Sequence, residues 1–113
     1  MKITLPWFPP VLHPNKRHHY HVRNPVFQEA KQAAFVIAQK NPIQSTDGRI
    51  ALSLLFFPPC NRKRDLDGCL SACKAFLDGL AAGWGVDDSQ FRPITIDFAE
   101  KRRGGEIEVD TPS

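Results

Sequence analysis

Asp65 and Asp67, two residues apart, directly follow the basic run Arg62-Lys63-Arg64, and Gly68 comes straight after them. Carboxylates brought within about 4 Å repel by several kcal/mol at an effective dielectric of about 20, so such a pair takes up a proton or binds a cation. Farther along, Asp87 and Asp88 stand together in Gly-Val-Asp-Asp-Ser-Gln. If the chain folds them back to the first pair, hard oxygen donors without a Cys or His partner select magnesium or manganese over zinc. A water on such an ion would serve as a nucleophile toward a phosphodiester. Lys74 lies seven residues after Asp67, two turns along a helix and so on nearly the same face, where an ammonium would offset charge developing on a phosphate. Structural readings stand beside these. Acids at a helix start are favoured by capping and by the helix dipole, Lys74 and Asp78 make an ordinary i,i+4 pair, and Asp and Ser are common turn residues.

The cations are clustered. Lys16-Arg17, Arg62-Lys63-Arg64 and Lys101-Arg102-Arg103 hold eight of the fifteen Lys and Arg residues, against a net charge of only +3. Each cluster reads as loop or loop edge, and loops of this kind converging on one surface would suit a polyanion. Lysine and arginine neutralising phosphates supply most sequence-independent nucleic-acid affinity. Cations beside the acid pair would then draw in the polyanion that the acids alone repel. Lys16, Arg17, His18, His19 and Tyr20 extend that surface by contacting backbone or stacking on an unpaired base; the plainer reading is a solvated loop. Lys101, Arg102 and Arg103 equally read as a solvated turn. Trp7 and Phe8 abut a strand and read as core or dimer-interface residues.

A chain of 113 residues with three cysteines bounds the rest: the length suits one domain, and the odd cysteine count argues for a reducing compartment rather than a disulfide framework. Cys69 and Cys73, four apart, share a helical face and fill core. The four histidines match no zinc spacing. No apolar run approaches the roughly 20 residues of a membrane span, and the amino terminus lacks a signal-peptide core; a soluble, cytoplasmic protein without membrane or small-molecule partners is expected.

The elements that must position these residues follow from periodicity. Lys2-Ile3-Thr4-Leu5 alternates as a strand and is ended by the prolines after it. Asn24-Pro25 predicts a helix start, with Phe27, Ala30, Ala34, Ile37 and Ala38 at helical spacing up to Asn41-Pro42. The run IALSLLFF at 50–57 predicts a central strand buried on both faces. Leu66, Cys69, Cys73, Leu77 and Leu80 form one stripe of a helix from about 66 to 82, with Gly83 and Gly85 at its end. Ile94, Ile96 and Phe98, then Ile107 and Val109, predict a hairpin across Gly104-Gly105. The order β-α-β-α-β-β makes an α+β (mixed α/β) fold, about four strands in a mixed sheet with two main helices, as a single domain over 1–113 with a frayed tail at 110–113.

Taken in order, the segment ITLPWFPPVLHPNKRHHYH at 3–21, Arg-Lys-Arg-Asp-Leu-Asp, the helix end KAFLDGL at 74–80 and GVDDSQ at 85–90 resemble the RusA-type Holliday-junction resolvases, small endodeoxyribonucleases of bacteria and their phages. The resemblance covers most of the chain. It implies that Asp65, Asp67 and Asp88 are magnesium ligands, with manganese able to substitute, that Lys74 is the catalytic lysine, and that Asp87 is a neighbour of the site. It further implies a homodimer setting two active sites against a four-way DNA junction, nicking two opposed strands symmetrically in recombination and repair. One departure is Gly68, where many relatives carry asparagine; glycine neither hydrogen-bonds a ligand carboxylate nor favours the first helical turn, which leaves reduced activity open. Two alternatives remain at this stage: a non-catalytic branched-DNA-binding module whose aspartates cap a helix, and a metal-dependent nuclease for other branched or single-stranded DNA.

Overall fold

The structure, a computed structural model, describes residues 1–13, 20–44 and 47–111. Its elements run β1 (Lys2–Pro6), a 3-10 turn (Pro10–Leu12), α1 (Tyr20–Lys40), β2 (Ile50–Phe57), α2 (Leu66–Ala72), α3 (Lys74–Trp84), a second 3-10 turn (Asp88–Gln90), β3 (Phe91–Phe98) and β4 (Glu106–Asp110). Four strands form one mixed sheet in the order β1-β4-β2-β3, so this is an α+β fold with β2 in the interior of the sheet. β2 runs parallel to β3 and antiparallel to β4, which in turn is antiparallel to β1. The registers line up apolar rows across all four strands: Ile3, Val109, Leu54 and Ile96 in one, Leu5, Ile107, Phe56 and Phe98 in the next. With a side-chain period of two, these rows face one way and meet the buried residues of the helices in a single core.

The helical layer depends on small residues. Ala30, Ala34 and Ala38, four apart on α1, are buried against α3, where Gly79 and Gly83 remove the side chains that would hold the helices apart. A Cβ at Gly79 would collide with the Lys31 carbonyl oxygen, and one at Gly83 would lie 2.6 Å from the Ala38 Cβ and 2.7 Å from the Phe35 carbonyl oxygen. At the far end the Trp84 indole N–H donates to the Asn41 carbonyl at 2.9 Å, tying the last turns of α1 and α3 together. Gly85 closes α3 in the left-handed region (φ 69°), where a side chain costs energy.

Several expectations are corrected. The first helix begins at Tyr20 rather than after Asn24, and Pro25 lies within it. Pro25, the sixth residue, gives up the bond its N–H would make to the carbonyl one turn back, and Arg23 fastens the extra turn by donating to the Val11 and Leu12 carbonyls at 3.0 and 3.1 Å. The second helix breaks at Cys73 (φ −91°, ψ 6°), leaving Lys74 to start α3. β3 and β4 do not form a hairpin, because β2 lies between them. The 99–105 connection instead crosses the end of β2, with the Ala99 and Arg102 N–H groups donating to the Phe56 and Pro58 carbonyls at 2.8 and 2.9 Å. β2 is buried throughout on one face only: on the other Ser53 is exposed, Ala51 and Leu55 are half-covered and Phe57, at the strand's end, is buried. The tail is ordered through Thr111, since Asp110 pairs in β4 with both neighbours and Thr111 is buried. Cys69 and Cys73 fill core as expected, and burial raises both thiols.

Gly79→Ala should destabilise the fold by about 1–3 kcal/mol, the typical cost of overpacking, and lower the thermal midpoint by several degrees. Ala82→Gln, exposed on the same helix, should leave it almost unmoved. Equal midpoints for the two variants would refute the close crossing.

Candidate functional site

Asp65 occupies the N-cap position of α2 in extended geometry (φ −109°, ψ 144°), yet its side chain makes no capping hydrogen bond. The neighbouring Asp67 carboxyl is the strongest influence on it and holds its carboxyl below the usual range; its own backbone N–H comes next, then the charge of His13, and the Gly68 N–H acts least. His13 reaches the acid because Gly68 has no side chain: a Cβ there would lie 2.8 Å from both Asp65 Oδ1 and His13 Nε2. Asp65 and His13 line a cavity of about 250 Å³ together with Trp7, Phe8, Pro10, Arg62, Lys63 and Arg64.

Arg64 builds one wall of that cavity. Its guanidinium donates to the Cys60 and Arg62 carbonyls, both at 2.9 Å, and to Cys60 Sγ at 3.2 Å, and it lies 5.6 Å from the centre of the Trp7 ring. It thereby folds the 60–64 loop onto Trp7, while Arg62 and Lys63 stay exposed. The exposed Cys60 thiol is lowered by the Arg62 backbone first and then by Arg64. The 101–103 run arrives at the same place from the other side, since a Cβ at Gly105 would lie 3.0 Å from Trp7 Cβ and Cγ and from Pro59 Cδ. Here too one cation is committed to the fold: Arg102 is ion-paired with Glu106 and Glu100 and sits 3.5 Å over the Phe57 ring, while Lys101 and Arg103 are exposed. Two basic runs therefore flank Trp7. Lys16, Arg17, His18 and His19 lie outside the described residues, and Tyr20 is placed only as the first residue of α1.

Lys74 faces a second group of acids. Its ammonium donates to Asp78 Oδ1 at 2.8 Å and to Asp88 Oδ2 at 2.9 Å. α3, with 11 residues, is about 16 Å long at 1.5 Å per residue, so the chain after Trp84 must fold back along it for Asp88 to reach the lysine at its start. The neighbouring acids have separate tasks. Asp87 caps the 3-10 turn, accepting from the Ser89 N–H at 2.9 Å while Gln90 Oε1 accepts from the Asp87 N–H at 3.0 Å, and Gln90 Nε2 anchors the turn to the Gly48 carbonyl at 2.9 Å. Asp88 is left to meet Lys74.

The fold thus assembles two pairs, Asp65–Asp67 beside His13 and Lys74–Asp88 with Asp78. Among the described residues, no group of three or more His, Cys, Asp or Glu side chains is placed to hold one metal ion, so Asp65, Asp67 and Asp88 are not gathered as a triad. The Asp65–Asp67 pair by itself still fits magnesium, which is held by one or two carboxylates and completes its shell with waters and phosphate oxygens. Sequence reasoning missed His13 and the clearance at Gly68, for which no sequence signal exists. It also missed the cap at Asp87, although an acid three residues before Gln90 is capping-box spacing.

Lys74 is raised by Asp78 first and Asp88 second, and Asp88 is lowered by Lys74. The sign follows: the bridge weakens as pH falls through the depressed Asp88 value and as pH rises through the elevated Lys74 value. With side chains 60% and 43% exposed, it contributes little to stability. Lys74→Met should move the Asp88 carboxyl titration, followed by carbon-detected NMR, up toward about 3.9 without unfolding the protein; an unchanged midpoint would show that the bridge is not formed in solution.

Among the described residues no helix is long and apolar enough to cross a membrane. No family model matches the chain. An uncharacterized protein of Xylella fastidiosa (strain Temecula1 / ATCC 700964) is 31% identical over 111 residues, covering 95% of this chain and 72% of that protein. At that identity and coverage, the chain belongs to the same family as the Xylella fastidiosa protein.

Proposed function

We propose that the protein is a magnesium-dependent endodeoxyribonuclease that nicks four-way DNA junctions, working in the cytoplasm as a homodimer in recombination and repair. The observation that carries this reading is Asp65. It stands at the N-cap of α2 without a well-formed capping hydrogen bond, the Asp67 carboxyl being the stronger influence on it and the Gly68 N–H the weakest, beside a cavity that Arg62, Lys63 and Arg64 also line. An N-cap aspartate is worth about 1 kcal/mol when its contact is well made, so a carboxylate that makes that contact poorly and stands beside a second acid suits a cation ligand.

In this reading Asp65 and Asp67 hold the ion. Bound there, magnesium would neutralise phosphate oxygens and make a water more acidic. The exposed Arg62, Lys63, Lys101 and Arg103 bring the DNA backbone to the acids. Among the described residues, no ion pair joins the 62–64 run to Asp65 or Asp67, so both signs of charge stay available to a ligand. Lys74, kept charged by Asp78 and Asp88 and bonded to both, would meet a phosphate by exchanging one of those carboxylates for it, so that Asp88 acts through Lys74. Two such sites on a dimer would match the two opposed strands of a junction. The separation of the two acidic groups favours one second reading, a module that binds branched DNA without cutting it.

The test is cleavage of a synthetic four-way junction and a linear duplex of the same sequence, each in magnesium and in EDTA. Junction-selective nicking that EDTA abolishes is expected, and Asp67→Asn should keep junction binding while lowering nicking at least 100-fold. Junction binding without nicking in magnesium or manganese would leave only the binding module; nicking untouched by Asp67→Asn would remove the acid pair from the chemistry.

A further inference from the structure

We propose that the cavity between Trp7 and the 62–65 segment is a pocket for one unpaired nucleotide, its base held by the aromatic wall and its phosphate by Arg62 and Lys63. The inference rests on the reading of the protein as DNA-binding and adds to it the form of DNA the site accepts.

The wall is a row of rings. Trp7 and Phe8 have centroids 4.6 Å apart with planes tilted 30°, and Phe8 and His13 are 6.2 Å apart and tilted 32°. Phe8 is buried and fixes the row, whereas Trp7 and His13 are half-exposed and line the cavity together with Pro10. Arg64, its guanidinium 5.6 Å from the centre of the Trp7 ring, bounds the cavity beside Trp7 in a posture held by three hydrogen bonds within its own loop. The rim carries the two cations of this loop that the fold does not use, Arg62 and Lys63, both exposed.

Size then narrows the ligand. A cavity of about 250 Å³ is somewhat smaller than the roughly 300–1,000 Å³ of pockets for drug-sized ligands. That is the scale of a single nucleotide rather than of a larger ligand. Aromatic walls beside cations are the combination that holds single-stranded nucleic acid, each base adding stacking contact whatever its identity. Asp65, exposed and among the lining residues, puts the acid pair next to the pocket, so a nucleotide lodged there would present its own or its neighbour's phosphate to Asp65 and Asp67. Gly68 is a condition of this geometry, because any side chain at 68 would push into His13 Nε2 and Asp65 Oδ1.

The experiment is tryptophan fluorescence of the full chain in EDTA, where nothing is cut. Trp84 is buried with its N–H bonded to Asn41, so Trp7 is the tryptophan that can report. The probes are a short single-stranded oligonucleotide, the same oligonucleotide with one central abasic site in an otherwise minimal length, a blunt duplex, and inorganic phosphate. Quenching by the intact oligonucleotide, with affinity about tenfold or more above the abasic one, supports the pocket. Trp7→Phe should abolish the quenching and keep most of the affinity followed by anisotropy, and paired Arg62→Ala and Lys63→Ala changes should weaken intact and abasic strands alike. Gly68→Ala, which touches only the ends of flexible side chains, should shrink the tenfold preference in a folded protein. Equal affinity for intact and abasic strands, or quenching matched by phosphate or duplex, would overturn the proposal. Because no cleavage is read, a protein that never nicks junctions can still pass, and an active nuclease can still fail.

Discussion

Hydrogen bonding of β2 on both edges is the constraint from which the rest of the arrangement follows. A parallel neighbour cannot be reached by a tight turn, so β3 obliges the chain to make a long crossover, and α2 and α3 are that crossover. Its start, with Asp65 and Asp67, follows the end of β2; its finish, with Asp88, precedes the start of β3, beside the start of β2. The antiparallel neighbour on the other edge has the opposite effect. To reach β4 from β3 the chain must pass over the end of β2, and that passage carries Lys101 and Arg103 to the side of Trp7. One pairing pattern therefore brings two basic runs together and sets two acidic groups apart.

Each basic run divides its work in the same way. Arg64 and Arg102 turn inward onto aromatic rings and backbone or carboxylate oxygens, and their neighbours face solvent. A planar, always-charged guanidinium with several donors suits the first task, since one residue can brace a loop through several contacts. The cations left over have no such employment. Exposed ion pairs contribute little to stability, so the exposed Arg62, Lys63, Lys101 and Arg103 are not accounted for by the fold, and the proposed polyanionic ligand would use them, its affinity growing with each phosphate neutralised.

How much of this was legible in the sequence depended on the range of the interaction. Local alternation found β1, β3 and β4, an unbroken apolar run found β2, and the stripe through Cys69, Cys73 and Leu80 found the buried face of the crossover. The hairpin failed because Ile94–Phe98 and Ile107–Val109 carry the same rhythm whether they pair with each other or with β2, and strand order is a long-range property. The helix start failed because Asn24-Pro25 is a sound local signal overruled by Arg23 reaching two carbonyls eleven and twelve residues away. At the site, the acids and cations were legible as types. What was not legible was their partnership, since the approach of His13 to Asp65 depends on the missing side chain at Gly68 and on the course of the 3-10 turn before it.

The break at Cys73 decides what Lys74 can do. In an unbroken helix Lys74 would stand two turns beyond Asp67 on nearly the same face, where a long side chain reaching back would neutralise the first acid pair. With the helix interrupted, Lys74 opens α3 and gives its ammonium to Asp78 and Asp88 instead. That second group holds two carboxylates around one lysine, and each is matched by a short hydrogen bond. The first group keeps two carboxylates in contact with no lysine or arginine paired to either among the described residues. Electrostatically the two are unequal: one is nearly self-sufficient, and the other remains a place where a cation would be stabilised most. A helix interruption at a buried cysteine, invisible to the apolar stripe that passes through it, thus leaves the ammonium of Lys74 with Asp78 and Asp88 and none with Asp65 and Asp67.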